Sequence, residues 1–158
     1  MTVITAPEPV TEPHLDGLFI AGGISGCPDW QDVITRNLEA SGVPAPMYNP
    51  RRAVYSTAPG VAEVQIAWEF DALNKSSAVL FWFPEETLCP ITLFELGRFS
   101  HQKDTQLFVG THPNYQRKLD VVTQLRLARP EVAVVESLKA LTEQVSNYYT
   151  ESKVNNVY

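Results

Sequence analysis

Cysteine is scarce in this chain of 158 residues: only Cys27 and Cys89 occur, far apart and in no CxxC pair. Two cysteines exclude a disulfide framework, and the missing pair spacing argues against a zinc site of standard form. His14, His101 and His112 show no metal-ligand spacing either, so neither metal nor cofactor is expected. Positive charge is also short, with 12 Lys and Arg against 18 Asp and Glu and a net charge of −6. That balance argues against the cationic face that phosphate contacts require, and no nucleic-acid partner is expected. No apolar run approaches the roughly 18 residues of a membrane span. The opening MTVITAPEPVTEPHLDG has neither the basic nor the apolar region of a signal peptide, so a cytoplasmic protein with no membrane contact is expected.

What is present reads as one small α/β domain. At 44% hydrophobic and 19% charged residues the chain can bury a core. Residues 1–16, with Pro7, Pro9 and Pro13, read as an extended or mobile arm, and 17–158 as a single domain. Gly17 to Gly23 is a short apolar run ending in glycines, a buried strand that stops in a tight loop. Cys27-Pro28-Asp29-Trp30 opens a helix to about Ser41, with Trp30, Val33, Ile34 and Leu38 at helical spacing.

Val43 to Tyr48 reads as an edge strand because of Pro44 and Pro46. A helix is expected from Val61 to Lys75, with Val64, Ile66, Ala67, Phe70 and Leu73 on one face. Ala78 to Phe83 is the most hydrophobic run and reads as the central strand. Pro90 opens a further helix. Gln106 to Gly110 and Val132 to Val135 are strands, each followed by a helix, the last one capped by Ser137.

Alternation of five strands with helices predicts a doubly wound five-stranded parallel sheet, flavodoxin-like or Rossmann-like, with helices on both faces. Ligand crevices in such sheets lie beyond the carboxyl ends of the strands. The rule selects Gly22 to Ser25, Pro84 to Cys89 and Gly110 to Tyr115.

Two carboxylates stand out near this crevice. Glu95 lies among apolar neighbours in the helix after the central strand. Glu69 lies in the helix before it, with Asp71 close by. Residues two apart on a helix do not share a face, so only one of Glu69 and Asp71 can point inward. Gly22-Gly23 allows close backbone approach to a ligand, yet its spacing is not a G-x-G-x-x-G fingerprint. Alternation sends Trp82 to the opposite face from Phe81 and Phe83. His112 lies in the loop after the fourth strand. Two carboxylates without a metal suggest substitution at an anomeric carbon, one group attacking and the other handling the leaving group's proton.

In this order the pieces resemble the nucleoside 2-deoxyribosyltransferases and the related 2'-deoxynucleoside 5'-phosphate N-hydrolases. Phe19-Ile20-Ala21-Gly22-Gly23 is similar to the family's first strand and glycine loop. Glu69 stands eight residues before Ser77, similar to the family's acid before its central strand. Phe94-Glu95-Leu96-Gly97 is similar to its E-L-G motif. The resemblance runs from Gly17 to about Gly110.

The resemblance implies that Glu95 is the nucleophile, attacking C1' of a 2'-deoxyribose to form a covalent ester with net retention. Glu69 would serve the departing base, with Asp71 as its substitute. Phe19, Gly22, Gly23, Trp82, Cys89 and Asn114 are the substrate-side candidates. Tyr158 joins them because a C-terminal tyrosine reaches an active site in several relatives. Three positions depart from the usual pattern: Cys89 and Ser77 stand where relatives carry acids, and Phe19 where many carry tyrosine.

The partners implied are 2'-deoxynucleosides and free nucleobases, in a homo-oligomer whose sites are completed by neighbouring subunits. Hydrolysis of deoxynucleoside 5'-monophosphates is the alternative, with Arg51-Arg52 offered to the phosphate. A non-catalytic nucleoside-binding module is a further one.

Overall fold

The computed structural model describes residues 2–10, 17–54 and 56–155, with side chains described as far as Glu151. The elements in chain order are β1 (Val3–Thr5), β2 (Leu18–Gly22), α1 (Trp30–Ala40), β3 (Met47–Asn49), α2 (Val61–Lys75), β4 (Ala78–Phe83), α3 (Pro90–Phe99), β5 (Gln106–Thr111), α4 (Lys118–Ala128), β6 (Val134–Val135) and α5 (Leu138–Asn155). All pairings are parallel, in the order β1-β3-β2-β4-β5-β6. From β2 onward this is the flavodoxin-like order, whose crevice opens between the carboxyl ends of β2 and β4.

Burial on both faces explains why the central strands are continuously apolar. Along β4, Val79, Phe81 and Phe83 enter one core with Trp68, Leu73, Leu96, Phe99, Val121 and Leu125. The alternate Ala78, Leu80 and Trp82 enter the other, with Trp30, Ile34, Leu38, Leu141 and Val145. Thus α2, α3 and α4 cover one face of the sheet, and α1 and α5 the other. Local signals set the helix starts. The Asp29 carboxylate accepts from the Asp32 N–H at 3.0 Å, Pro90 occupies the first turn of α3, and Ser137 Oγ accepts from the Ala140 N–H at 3.1 Å.

Three expectations are corrected. The sheet has six strands, because Val3–Thr5 of the expected N-terminal arm pairs with Met47–Asn49. The segment that follows is tied down as well: Trp68 Nε1 donates to the Glu8 carbonyl at 2.6 Å, and Lys75 Nζ to the Val10 carbonyl at 2.6 Å. Its prolines flank the strand and do not interrupt the ladder. β3 is therefore an inner strand, since Pro44 and Pro46 precede the paired residues and β1 occupies the edge. The third correction concerns α2. It buries Gln65, Trp68, Ala72 and Leu73, while Val64, Ile66 and Phe70 of the expected apolar face are exposed. The helix turns Trp68, Ala72 and Leu73 into the core and Gln65 toward the Pro50 carbonyl and Glu69.

Candidate active site

Glu69 on α2 and Glu95 on α3 lie close enough for the Glu69 charge to act on Glu95. Gln65 lies one turn before Glu69 on the same face and donates from Nε2 to Glu69 Oε1 at 2.7 Å. Arg52, in the turn after β3, donates from Nε to Gln65 Oε1. Each carboxyl stands above its ordinary range. Glu95 is pushed up to about 8, first by burial and then by the Glu69 charge, with Arg98 opposing. Glu69 is also raised by burial, but the Gln65 hydrogen bond and the Arg52 charge pull it back. Like charges so close in low dielectric cannot both form freely, so the pair retains one proton near neutral pH. The stabilising partners surround Glu69, which places that proton on Glu95.

A second cluster lies at the carboxyl ends of β2 and β4. Cys89 caps α3 in a left-handed conformation, φ 49° and ψ 55°. Its thiol is buried and pushed up to about 11, first by burial and then by the nearby Cys27. A Cβ on Gly23 would lie 2.7 Å from Thr87 Cγ2 and 3.0 Å from Cys89 Sγ. One on Gly22 would lie 2.3 Å from Trp30 Cζ2 and 2.5 Å from the Trp82 carbonyl oxygen. The glycine pair therefore serves close packing within the chain. The Gly23 carbonyl accepts from Trp30 Nε1 at 2.8 Å and Gln31 Nε2 at 3.0 Å.

The remaining sequence-derived candidates fall in several places. Phe19 is 1% exposed and packs on Trp68 with ring centroids 6.3 Å apart, so it is core beneath α2. Trp82 is buried on the opposite face of the sheet from the carboxylates, against Trp30. Asp71 points to solvent and pairs with Lys75 at 2.8 Å, so the structure does not bring it to Glu95.

Asn114 is exposed and donates to Glu85 at 3.0 Å. The Tyr115 hydroxyl donates to the Leu88 carbonyl at 2.8 Å. Together these contacts tie the loop after β5 to the loop after β4. Tyr158 and His14 lie outside the described residues. Arg51 is committed to the loop before α1, donating to the Pro28 carbonyl at 3.1 Å and Gln31 Oε1 at 3.0 Å and facing Asp29 at 3.6 Å.

Sequence reasoning missed Gln65 as a site residue and placed Arg52 only against a phosphate. The available signal was spacing, since Gln65 stands one helical turn from Glu69. A cleft of about 280 Å³ lies between α3 and α4, lined by Leu93, Leu96, His101, Asp120, Val121 and Leu125. It occupies the other flank of α3 from Arg98 and Phe94 and includes neither carboxylate. Among the described residues no group of three or more His, Cys, Asp or Glu could hold a metal ion.

The family model described as nucleoside 2-deoxyribosyltransferase like matches residues 17–115, more than half of the chain. That span contains both carboxylates, the glycine loop and the loop after β5. No curated protein matches the chain.

Proposed function

The chain belongs to the nucleoside 2-deoxyribosyltransferase-like family, and from that premise we propose that it exchanges the base of 2'-deoxynucleosides through a covalent deoxyribosyl-glutamate intermediate. The observation that carries the reading is the pair Glu69 and Glu95, half-buried and close enough for the Glu69 charge to add to the burial that holds the Glu95 carboxyl at about 8. Such a pair supplies both groups the reaction needs. Ionised Glu95 attacks C1' and forms the ester as the C1'–N bond breaks. The departing base takes the bonding electrons and a proton, delivered by Glu69. A second base then attacks C1' from the vacated side, gives its N–H proton to Glu69, and releases Glu95. Two inversions give net retention.

The proton rests on Glu95 before substrate binds, so it must pass to Glu69 before attack. The Arg98 charge, which lowers Glu95, favours that transfer. Arg51, one of the two arginines offered to a 5'-phosphate, is spent on the Cys27 to Gln31 loop, and Arg52 donates to Gln65. This weighs against hydrolysis of deoxynucleoside monophosphates. Both cysteines are free thiols, in keeping with a reducing cytoplasm. No described helix is long and apolar enough to cross a membrane.

The proposal includes a second copy of the chain. Ile66 and Phe70 on α2 and Ile91 and Phe94 on α3 are 64%, 58%, 64% and 73% exposed. The Arg98 guanidinium lies 5.0 Å from the Phe70 ring centroid and so bridges the two helices. This apolar face flanks the two carboxylates, so a copy seated on it would also close the crevice.

The test is incubation with one deoxynucleoside and a different free base. The second deoxynucleoside should form, and Glu95→Gln should lower the rate at least ~10³-fold, because water cannot match a positioned nucleophile. Intact mass after reaction with a 2'-fluorinated deoxynucleoside should show a sugar adduct on Glu95. Absence of exchange with every purine and pyrimidine pair overturns the reading.

A further inference from the structure

We propose that Gln65 is a positioning residue of this site: its side-chain amide couples the Arg52 guanidinium to Glu69 and so decides which of the two carboxyls holds the shared proton. The inference rests on the reading of Glu69 and Glu95 as the reacting pair.

A glutamine amide has two N–H donors and one carbonyl acceptor, and Gln65 uses all three inside the protein. Nε2 donates to the Pro50 carbonyl at 2.8 Å and to Glu69 Oε1 at 2.7 Å, and Oε1 accepts from Arg52 Nε. The side chain is 8% exposed. Turning the amide over would set its oxygen against the Pro50 carbonyl and the Glu69 carboxylate, two acceptors, and its NH₂ against the Arg52 N–H. The network therefore fixes one orientation. Pro50 is itself held in place, because the next N–H, from Arg51, donates to Asn49 Oδ1 at 2.9 Å.

This arrangement treats the two carboxylates unequally. From α2, Gln65 presents an N–H to Glu69, and from the turn after β3 Arg52 presents a positive charge. From α3, Glu95 presents its own carboxyl, with Arg98 acting on Glu95. A donor aimed at Glu69 favours its ionised form, and Gln65 passes the Arg52 polarisation along the same line.

Arg52 adds a second observation. Its Nη2 is buried and has no hydrogen-bond partner among the described residues. A guanidinium branch left unpaired in this way does not help folding, and so calls for another role. Placing charge behind Gln65 supplies one. Removing the Gln65 amide takes a donor from ionised Glu69, so Glu69 holds a proton more readily and Glu95 less readily.

The test is titration of the glutamate Cδ carbons by ¹³C NMR on the full chain, in the unsubstituted protein and in Gln65→Met, which keeps the length and loses the amide. The expected result is opposite movement of the two midpoints. Glu69 should rise by about one pH unit, the size of one hydrogen bond to a charged group, and Glu95 should fall. The kcat should rise while KM stays within about twofold, because more of the pair then stands with Glu95 ionised and Glu69 protonated, a gain that loosened packing would not produce. Arg52→Gln, which retains a donor to Gln65 and loses the charge, should shift Glu69 in the same direction by less. It decides the matter alone if Gln65→Met does not fold.

Midpoints of Glu69 and Glu95 that stay in place in a folded variant overturn the inference. The titration needs no turnover. Shifted midpoints in a protein without base exchange would keep the coupling and retire the proposed reaction.

Discussion

Glu69 raises the Glu95 carboxyl from across the α2–α3 crevice, adding to the burial that is the larger cause of its rise to about 8. The reacting pair must keep one proton for the leaving base, so kcat/KM should fall as pH rises through about 8, where Glu95 gives that proton up. Glu69→Gln removes the like charge and leaves the burial. Glu95 then titrates alone, about one unit lower and still above the ordinary glutamate range, and the rate should rise with pH through that value because only its ionisation remains to be met. The maximal rate should also drop ~10²-fold, because the leaving base loses its proton donor. Steady-state rates across pH 5 to 10 check both effects. A fall of rate with rising pH that persists in Glu69→Gln would detach the two residues.

The same proton makes folding stability depend on pH. Folded Glu95 binds its proton more tightly than the unfolded chain does, because its value rises from 4.5 to about 8. The native state therefore holds more protons than the unfolded state between these values, and stability falls as pH rises through them. Glu95→Gln cannot ionise and escapes that loss. Its melting temperature should stay near that of the unsubstituted protein at pH 5 and exceed it at pH 9, the gap opening between pH 5 and 8. Calorimetry at several pH values checks the trend, and a constant gap would show that burial does not set the ionisation.

Gly22 is a packing residue, and its substitution tests that directly. Its added Cβ would strike Trp30 Cζ2 at 2.3 Å and the Trp82 carbonyl oxygen at 2.5 Å. Trp30 cannot step aside, since its Nε1 is bonded to the Gly23 carbonyl at 2.8 Å and the ring is buried. Gly22→Ala should cost about 3 kcal/mol, read as a lower midpoint in urea unfolding. Gly22→Ala with Trp30→Phe, which shortens the obstructing ring, should recover part of the loss. A neutral Gly22→Ala would return this loop to the role of ligand cradle.

The sheet was legible in the sequence wherever a strand is buried on both faces, because Leu18–Gly22, Ala78–Phe83 and Gln106–Thr111 need continuous apolar runs. Val3–Thr5 was not, because three residues among prolines carry too little pattern; their place comes from the open edge of Met47–Asn49. Helix α2 departs from its periodicity. Periodicity assigns apolar residues to the core, whereas this helix buries Gln65 and half-buries Glu69 while exposing Ile66 and Phe70. Local rules fail at sites where a surface must meet a substrate or another chain. Glu95 and Glu69 could be picked out by chemistry, as carboxylates among apolar neighbours. Gln65 carries no such mark, and only its three hydrogen bonds reveal it.

The exposed face of α2 and α3 yields the last prediction. Phe94 is 73% exposed in the single chain, so an acid there costs the isolated fold little. In an assembly that buries it, the same acid would sit unpaired in an apolar contact. Phe94→Asp with Phe70→Asp should therefore leave the circular dichroism of the fold intact and shift sedimentation to the 17.6 kDa single chain. Base exchange should fall with dissociation, and the unsubstituted protein should lose specific activity on dilution over the same range. A protein that sediments as a single chain before substitution, with full activity, would show that the crevice closes without a second copy.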